Sequence, residues 1–246
     1  MPGTRRALIA GLGLIGGSIG MALRARGWRI AFRDPHVSLD EARRAGAADD
    51  DDGHDADLVV LATDVDVAVE LLKEIEAPLI TSVCSVMQPL RAAAATKNFV
   101  AGHPLAGSHE RGFAAADAKL FEGKRWFIDS RNYEVEEMIR DCGAIGEVVD
   151  PREHDDAVAL TSHLPQLLST ALAAYAERSG MDVRFAGTGL RTFLRLAASD
   201  ASVWTPVIDG NREAIDKHLA AVVEIARSID ARAFEDAQAF VAKLSS

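Results

Sequence analysis

Cysteines, aromatic residues and long apolar runs are all scarce in this sequence of 246 residues. Its two cysteines, Cys84 and Cys142, have no spacing typical of a metal site, so neither a disulfide framework nor structural zinc is expected. No apolar run reaches the roughly 18 residues that a membrane-spanning helix needs. Basic residues number 27 against 37 acidic ones, and the formal net charge of −10 disfavours binding to nucleic-acid phosphates.

The N-terminal segment and an acidic stretch both admit a second interpretation. The N-terminal segment runs from basic to apolar residues, as a signal peptide does, but glycines interrupt its apolar part and no cleavage pattern follows. We therefore expect a cytoplasmic protein. The stretch DDDDGHD at 49–55 is interpreted as a solvated turn, because it implies no ligand geometry, and no metal site is expected.

Short apolar runs alternate with helical periodicity over the first 150 residues. The predicted strands are 6–11, 29–34, 56–63, 79–85, 97–104 and 125–130, and the predicted helices are 16–27, 38–47 and 66–75. Ser38 with Glu41 three residues on forms a capping box for the second helix. The alternation predicts an α/β domain with a doubly wound parallel sheet.

The pattern changes near Pro151, and the remaining segments have helical spacing. They are 155–180, 189–200, 201–230 and 231–244. We therefore predict two domains, an α/β domain over 1–150 and an all-helical domain over 151–246.

A glycine-rich segment follows the first predicted strand. GLGLIGG at 11–17 has the G-x-G-x-x-G frame, with a strand before it and a helix after it. In that context the glycines permit a tight turn, close approach of a pyrophosphate and close packing of helix on strand. The helix N-terminus supplies N–H donors to the phosphates. This predicts a Rossmann-type dinucleotide domain, whose pyrophosphate loop consists of Gly11, Leu12, Gly13, Leu14, Ile15 and Gly16.

Asp34 ends the second predicted strand, about 20 residues beyond the glycines, where a carboxylate accepts from the ribose hydroxyls of a dinucleotide. A carboxylate there repels a 2′-phosphate, so NAD is favoured over NADP. The neighbouring Arg33 can stack on adenine or tolerate a phosphate. The alternative for Asp34 is a helix-capping or turn aspartate before Pro35.

Two further strings suggest polar groups directed at a site. SHLP at 162–165 places Pro165, which lacks an N–H, inside a helical stretch. Arg195 lies within an apolar run, so it is expected to be partly buried, facing either a substrate carboxylate or a structural ion pair with Asp200 or Asp209. In GHPLAGSHERG at 102–112, His103 is either a chemical group or a polar residue on a turn.

Five strings occur in the order GLGLIGGS, SVCSV, GHPLAGS, TSHLPQ and FLRLAASDASVW. Together they resemble the prephenate/arogenate dehydrogenases of tyrosine biosynthesis, over nearly the whole chain. The resemblance implies NAD-dependent oxidative decarboxylation of prephenate to 4-hydroxyphenylpyruvate. It also implies a homodimer formed through the C-terminal helices, and exposed apolar faces on those helices would agree with that.

The same resemblance assigns roles to individual residues. His103 matches the catalytic histidine, and a GHP turn would hold its ring toward the nicotinamide. Ser85 matches a serine that contacts the substrate hydroxyl and the cofactor region. Arg195 matches the arginine that receives a substrate carboxylate, Ser162 matches a substrate-contacting serine, and Thr63 matches a cofactor-side position.

Three positions depart from the family pattern. Met87 stands in place of a lysine, Gln166 in place of a second histidine, and His109 in place of a glutamate. Gln166 and His109 are nevertheless predicted to line the substrate site. Prephenate is the favoured substrate, and arogenate or both substrates are the alternative. More distant alternatives are a 3-hydroxyacid dehydrogenase, an imine reductase, and a catalytically inactive NAD-binding dimeric module.

Overall fold

The computed structural model describes residues 5–50, 53, 55–107 and 110–244. The predicted substrate residue His109 and part of the acidic stretch 49–55 lie outside the described residues. The described residues up to Asp155, together with Asp200–Gly210, form one compact unit, and Asp156–Ser199 together with the described residues from Asn211 onward form a second. Within the described ranges, no helix has the length and apolar character needed to cross a bilayer.

A five-stranded parallel sheet forms the centre of the first unit, in the order β2-β1-β3-β4-β5. The strands are β1 (Arg6–Ala10), β2 (Arg29–Arg33), β3 (Leu58–Leu61), β4 (Ile80–Ser82) and β5 (Phe99–Val100). In the middle of the sheet, Leu8 of β1 lies opposite Ala31 on one side and Val59 on the other. All three are buried, as a parallel sheet covered on both faces requires. The α/β class predicted from the alternation is confirmed.

Six helices follow or connect these strands. They are α1 (Leu14–Ala25), α2 (Leu39–Ala45), α3 (Val65–Glu74), α4 (Gln88–Ala94), α5 (Tyr133–Asp141) and α6 (Pro151–Val158). The predicted cap of α2 is present, since the Ser38 hydroxyl accepts from the Glu41 N–H at 3.3 Å. The helix ends at Gly46, whose φ of +76° suits glycine. Helix α6 begins at the predicted domain boundary, but its His154 and Asp155 belong to the first unit, so that boundary stays a prediction.

The predicted strand 97–104 divides between two sheets. Its first part is β5, and its second part, β6 (Gly102–Pro104), joins β7 (Arg125–Ile128) and β8 (Ile145–Val148) in a three-stranded sheet. Strand β6 pairs antiparallel with β7, and β7 pairs parallel with β8. Between β5 and β6, Ala101 donates its N–H to the Asp129 carboxylate at 3.0 Å and accepts from the Asp129 N–H at 3.0 Å. This pairing turns the chain out of the parallel sheet.

The described part of 151–246 is helical, as predicted. It contains α7 (Leu164–Arg178), α8 (Thr188–Phe193), α9 (Ala201–Gly210), α10 (Arg212–Arg227) and α11 (Ala231–Leu244). The predicted segment 201–230 breaks at Asn211, so that α9 belongs to the first unit and α10 to the second.

Candidate active site

The glycine loop between β1 and α1 is shaped by close backbone contacts. Gly11 has φ +91°, and a Cβ there would lie 2.6 Å from the Ala62 carbonyl oxygen. A Cβ at Gly16 would lie 1.9 Å from the Gly11 oxygen, so the helix approaches the strand as closely as glycine allows. Gly13 differs from both, because a Cβ there would meet nothing within 4 Å. The first and third glycines therefore serve the fold, while the second borders open space.

The N-terminus of α1 borders the same space. Gly13 caps the helix without a side-chain hydrogen bond, and the first turn contains no acidic residue. Leu12 is buried, whereas Leu14 and Ile15 are half-buried at the start of the helix. The N–H groups of a first helical turn lack intrahelical acceptors and attract anions. This arrangement fits a dinucleotide pyrophosphate.

Asp34 holds the glycine loop through both carboxylate oxygens. Its Oδ2 accepts from the Leu12 N–H at 2.7 Å, while Oδ1 accepts from the N–H groups of His36 at 2.8 Å and Val37 at 3.2 Å. The structure thus gives Asp34 the role of a turn aspartate. A carboxylate oxygen can accept two hydrogen bonds, so Oδ2 retains capacity for a ribose hydroxyl. That contact, and a cofactor contact by the exposed Arg33, stay predictions.

Thr63 follows β3 and lies beside the glycine loop, since its Cγ2 would be 2.9 Å from a Cβ at Gly11. Its carbonyl accepts a hydrogen bond from the Cys84 thiol, with an S···O distance of 3.6 Å. Burial raises the pKa of Cys84 from 9.0 to about 12, so this thiol stays protonated at neutral pH. Cys84 therefore links the two loops and is not a nucleophile.

The segment Gly-His-Pro is a strand, as the predicted strand 97–104 includes it, and not the turn that the resemblance implies. In β6, His103 lies opposite Phe127 of β7, and Pro104 lies opposite Trp126. Proline is tolerated there because β6 is an edge strand. The peptide before His103 is fixed by close packing, since a Cβ at Gly102 would lie 2.7 Å from the Ser82 carbonyl oxygen and 3.1 Å from Trp126 Nε1. Strand pairing, rather than a turn, thus orients His103.

A chain of hydrogen bonds leads from His103 into the interior. His103 Nδ1 lies 2.9 Å from His154 Nε2, and His154 Nδ1 lies 2.8 Å from Asp155 Oδ1. The side chains of His154 and Asp155 are 2% and 0% exposed. Asp155 also accepts from the N–H groups of Met87 and Gln88, each at 2.9 Å.

Sequence reasoning missed His154 and Asp155. The only local signal is that a histidine and an aspartate stand side by side among charged residues early in a helix. Nothing in the sequence links them to His103, which is 51 positions away. The structure also explains how Met87 is accommodated. Its side chain is buried, and its N–H, bonded to Asp155, orients the loop where the family pattern has a lysine.

The first unit brings the predicted cofactor and catalytic residues to one edge of the parallel sheet. The glycine loop follows β1, Thr63 follows β3, and the half-buried Ser85 follows β4. Strand β6, with His103, begins beside the end of β4, where the Gly102 N–H donates to Ser82 Oγ at 3.3 Å. Ligands of open α/β sheets bind at this carboxyl edge. The geometry suits a dinucleotide with a histidine base nearby.

Two family models account for most of the chain. One, described as "Prephenate dehydrogenase, nucleotide-binding domain", matches residues 19–145, and the other, "Prephenate dehydrogenase, dimerization domain", matches residues 150–245. The chain belongs to the prephenate dehydrogenase family. Its glycine loop precedes the first matched residue, so the assignment of that loop depends on the geometry described above.

Individual members of the prephenate dehydrogenase family are moderately similar to this chain. The prephenate dehydrogenase of Lactococcus lactis is 31% identical over 232 residues, which are 85% of this chain and 66% of the relative. That of Bacillus subtilis is 31% identical over 256 residues, 91% of this chain and 68% of the relative. This chain thus spans about two thirds of the length of either relative.

A solved prephenate dehydrogenase has the same fold. The structure from Aquifex aeolicus, in complex with hydroxyphenyl propionate and NAD+, has a TM-score of 0.82 at 24% identity. The likeness covers 98% of this chain and 95% of the Aquifex chain.

The second unit, which matches the family's dimerization domain, contains three predicted substrate residues. Ser162 is exposed in a π-helical turn, Ala159–His163, that directly precedes α7. Pro165 directly follows this turn, inside a helix that is continuous from α6 to α7, and the wider hydrogen-bond pattern of the π-turn accommodates a residue without an N–H. Gln166 is buried, with its Nε2 donating to the Leu196 carbonyl at 2.8 Å. Its Oε1 is buried with no hydrogen-bond partner among the described residues.

The expectation that Arg195 is partly buried was wrong, because its side chain is exposed. The apolar run forms a 3₁₀ helix, Leu194–Ala198, with three residues per turn. Leu194 and Ala197 therefore share the half-buried face, whereas Arg195 lies on the exposed one. Asp200, one of its two candidate ion-pair partners, forms an ion pair with Arg111 at 3.5 Å.

Proposed function

We propose that this chain is an NAD-dependent prephenate dehydrogenase, which converts prephenate to 4-hydroxyphenylpyruvate and CO2 in tyrosine biosynthesis. The observation that carries the proposal is the position of His103, backed by a buried histidine, in the same unit as a glycine loop shaped for a dinucleotide. The names of the Lactococcus and Bacillus relatives support this substrate.

The glycine loop and its neighbours would hold the cofactor. The N–H groups at the start of α1 receive the pyrophosphate beside Gly13, and Asp34 receives the adenosine ribose. Arg33 and Thr63 border the cofactor at the ends of β2 and β3. A carboxylate at the ribose favours NAD over NADP.

The reaction requires a base and groups that bind the substrate. NAD+, when bound, accepts the hydride from the ring carbon that bears the hydroxyl. His103 takes the hydroxyl proton, and can return it to the phenolate oxygen as the ring carboxylate leaves as CO2. A neutral imidazole suits this task because its ordinary pKa lies near the working pH, and such a base contributes about 10²–10⁴-fold in rate.

The remaining predicted residues bind the substrate. Ser85 contacts the reacting hydroxyl, and Arg195 receives a substrate carboxylate, for which an exposed guanidinium is available in the described structure. Ser162, Gln166 and His109 complete the substrate site. Of these, Gln166 offers a buried carbonyl oxygen.

Formation of NADH from purified protein, NAD and prephenate tests the proposal directly. We expect turnover in the wild type, and a loss of about 10²–10⁴-fold in kcat in His103→Asn. NAD binding, followed by calorimetry, is expected to be unchanged in that variant. No turnover of prephenate by a wild type that binds NAD, or full turnover by His103→Asn, would contradict the proposal.

Arogenate is a second candidate substrate, which the Oε1 atom of Gln166 favours. This buried acceptor has no partner among the described residues, and an ammonium group would supply the missing donor. Arogenate carries an ammonium on its side chain, whereas prephenate carries a ketone. Parallel assays with both substrates, on the wild type and on Gln166→His, distinguish the two. A preference for arogenate that Gln166→His reduces would favour this candidate.

A homodimer is part of the same proposal. Large apolar side chains of the second unit are strongly exposed in the single chain, including Phe185 at 82%, Tyr175 at 70% and Phe234 at 60%. Apolar patches of this kind mark interfaces, and the match to a dimerization domain supports a second copy as the partner. Sedimentation velocity is expected to give the mass of two chains.

A cytoplasmic location also belongs to the proposal, supported by two free, buried thiols.

A further inference from the structure

The buried pair His154 and Asp155 has no role in the reaction described so far. Both side chains lie behind His103, on the side of its Nδ1 atom. We propose that this pair is a positioning relay that sets the tautomer of His103 and thereby makes Nε2 the base. The consequence for catalysis rests on the proposed function, whereas the tautomer itself does not.

The relay starts from the hydrogen bonds of Asp155. Its Oδ1 accepts from the Met87 N–H and its Oδ2 accepts from the Gln88 N–H. Backbone N–H groups can only donate, so each carboxylate oxygen of Asp155 is the acceptor in these bonds. An ionised carboxylate can only accept, so Nδ1 of His154 must carry the proton in its contact with Asp155.

The tautomer of His154 then determines that of His103. A neutral imidazole protonated at Nδ1 has its lone pair on Nε2. His154 Nε2 therefore accepts the hydrogen bond, and His103 Nδ1 donates it. With its own proton on Nδ1, neutral His103 has its lone pair on Nε2, the nitrogen directed away from His154.

The surroundings keep these rings in place. His154 is almost fully buried, so water cannot readily replace Asp155 as the acceptor. The ring of Phe127 packs against that of His154 with centroids 5.7 Å apart. The rings of His103 and His154 meet nearly edge-on, with an interplanar angle of 87°. When His103 takes the substrate proton, the carboxylate at the far end of the relay stabilises the resulting imidazolium.

Asp155 also acts on the serine loop. Ser85 precedes Met87 by two positions, and the two N–H groups bonded to Asp155 fix the end of that loop. One buried carboxylate thus orients both the base and the loop that carries Ser85.

Asp155→Asn is the variant that tests the relay. Asp155 Oδ1 accepts from both His154 and the Met87 N–H, so an amide nitrogen in its place donates to His154 Nδ1 but opposes the Met87 N–H. In this orientation the His154 proton moves to Nε2, and His103 becomes the tautomer protonated at Nε2. In the other orientation the amide nitrogen opposes the Gln88 N–H, and both tautomers are kept. Where the tautomer changes, we expect kcat for prephenate to fall on the order of 10³–10⁴-fold, as for a wrong-tautomer histidine elsewhere. The affinity for NAD is expected to be unchanged. Asp141→Asn is the matched control. Asp141 ends α5, where it accepts from the Trp28 indole at 2.7 Å and forms an ion pair with Arg5, so it has no part in the relay.

Long-range ¹H–¹⁵N spectra of the histidine rings supply the decisive readout, with the His103 signals assigned by their loss in His103→Asn. We expect the Nδ1–H tautomer in the wild type and in Asp141→Asn. In Asp155→Asn we expect kcat to follow the tautomer, with the full loss only where His103 is protonated at Nε2. An Nε2–H tautomer in the wild type, or an Nε2–H tautomer in Asp155→Asn with kcat unchanged, would overturn the relay.

Two substitutions of His154 keep the test decisive if Asp155→Asn fails to fold. His154→Gln can accept from His103 Nδ1 and donate to Asp155, so it is expected to keep the tautomer and most of the kcat. His154→Leu can do neither, and a His154→Leu enzyme as active as His154→Gln would refute the relay. A wild type inactive on prephenate would refute the proposed function instead, and the spectra would still decide the tautomer.

Discussion

Alanine substitutions at Gly13 and Gly16 are expected to separate cofactor binding from folding. At Gly13, φ is −80° and ψ is −155°, which any residue adopts, and the new methyl would meet nothing within 4 Å. Losing glycine stabilises the fold by about 0.4–1 kcal/mol, because the unfolded chain has less entropy, whereas alanine is a poorer helix N-cap than glycine by a similar amount. The free energy of unfolding of Gly13→Ala without cofactor is therefore expected to stay within about 1 kcal/mol of the wild type.

Gly16→Ala has the opposite effect. Its methyl would lie 1.9 Å from the Gly11 oxygen and 3.1 Å from the Ala62 Cβ, so backbone must move. Overpacking of this kind costs about 1–3 kcal/mol or more. A loss of 1 kcal/mol corresponds to roughly 2–4 °C in Tm for a protein of this size, so Gly16→Ala is expected to melt at least several degrees lower without any ligand.

Thermal melts with and without NAD, together with calorimetric titration, measure both effects. We expect Gly13→Ala to bind NAD at least tenfold more weakly, about 1.4 kcal/mol, because its methyl occupies the space next to the pyrophosphate. Wild-type NAD affinity in Gly13→Ala would refute the assignment of that space to the cofactor. An unchanged melting temperature in Gly16→Ala would refute the packing argument.

Three further predictions concern the neighbouring loops. Asp34→Ala is expected to lose about 1–3 kcal/mol of stability even without NAD, because three backbone N–H groups, Leu12 among them, lose their acceptor; a cofactor effect alone would contradict this. In Ser82→Ala the Gly102 N–H, next to the base His103, loses its acceptor, so the free energy of unfolding is expected to fall by about 1 kcal/mol. We expect kcat to fall more than the affinity for NAD, and equal losses in both would contradict this. Because the thiol of the unfolded chain ionises first, the raised pKa of Cys84 predicts that its contribution to the free energy of unfolding is complete below pH 9.0 and is lost toward about pH 12. Urea titrations of the wild type and Cys84→Ala test this, and equal alkaline slopes would refute it.

The parts of the structure predictable from sequence are those with a strong local pattern. The buried strands of the parallel sheet, the Ser38 cap and the glycine loop each depend on neighbouring residues, and the structure has all three. Helices α4 and α5 and strand β8 are absent from the sequence predictions. Strand β8 is exposed along its whole length, so it lacks the apolar signal of a buried strand.

Features that depend on distant contacts could not be predicted. The predicted strand 97–104 includes the Gly-His-Pro segment, but nothing in the sequence indicates that this part leaves the parallel sheet and pairs with β7. The partnership of His103 with His154 crosses 51 positions and leaves no periodic trace. The burial of Arg195 was predicted wrongly, because which side chains of an apolar run are buried depends on the number of residues per helical turn. The run forms a 3₁₀ helix, with three residues per turn, where an α-helix was assumed.

The burial of both cysteines has a practical consequence for studying the enzyme in solution. Cys84 and Cys142 are the only thiols of the sequence, and both are buried in the folded chain. A cysteine introduced at an exposed position is therefore expected to react selectively with a maleimide dye. Glu74 on α3 and Glu177 on α7 are both exposed and lie in different compact units. A donor and acceptor dye at these two positions would report the distance between the units by energy transfer, before and after cofactor is added.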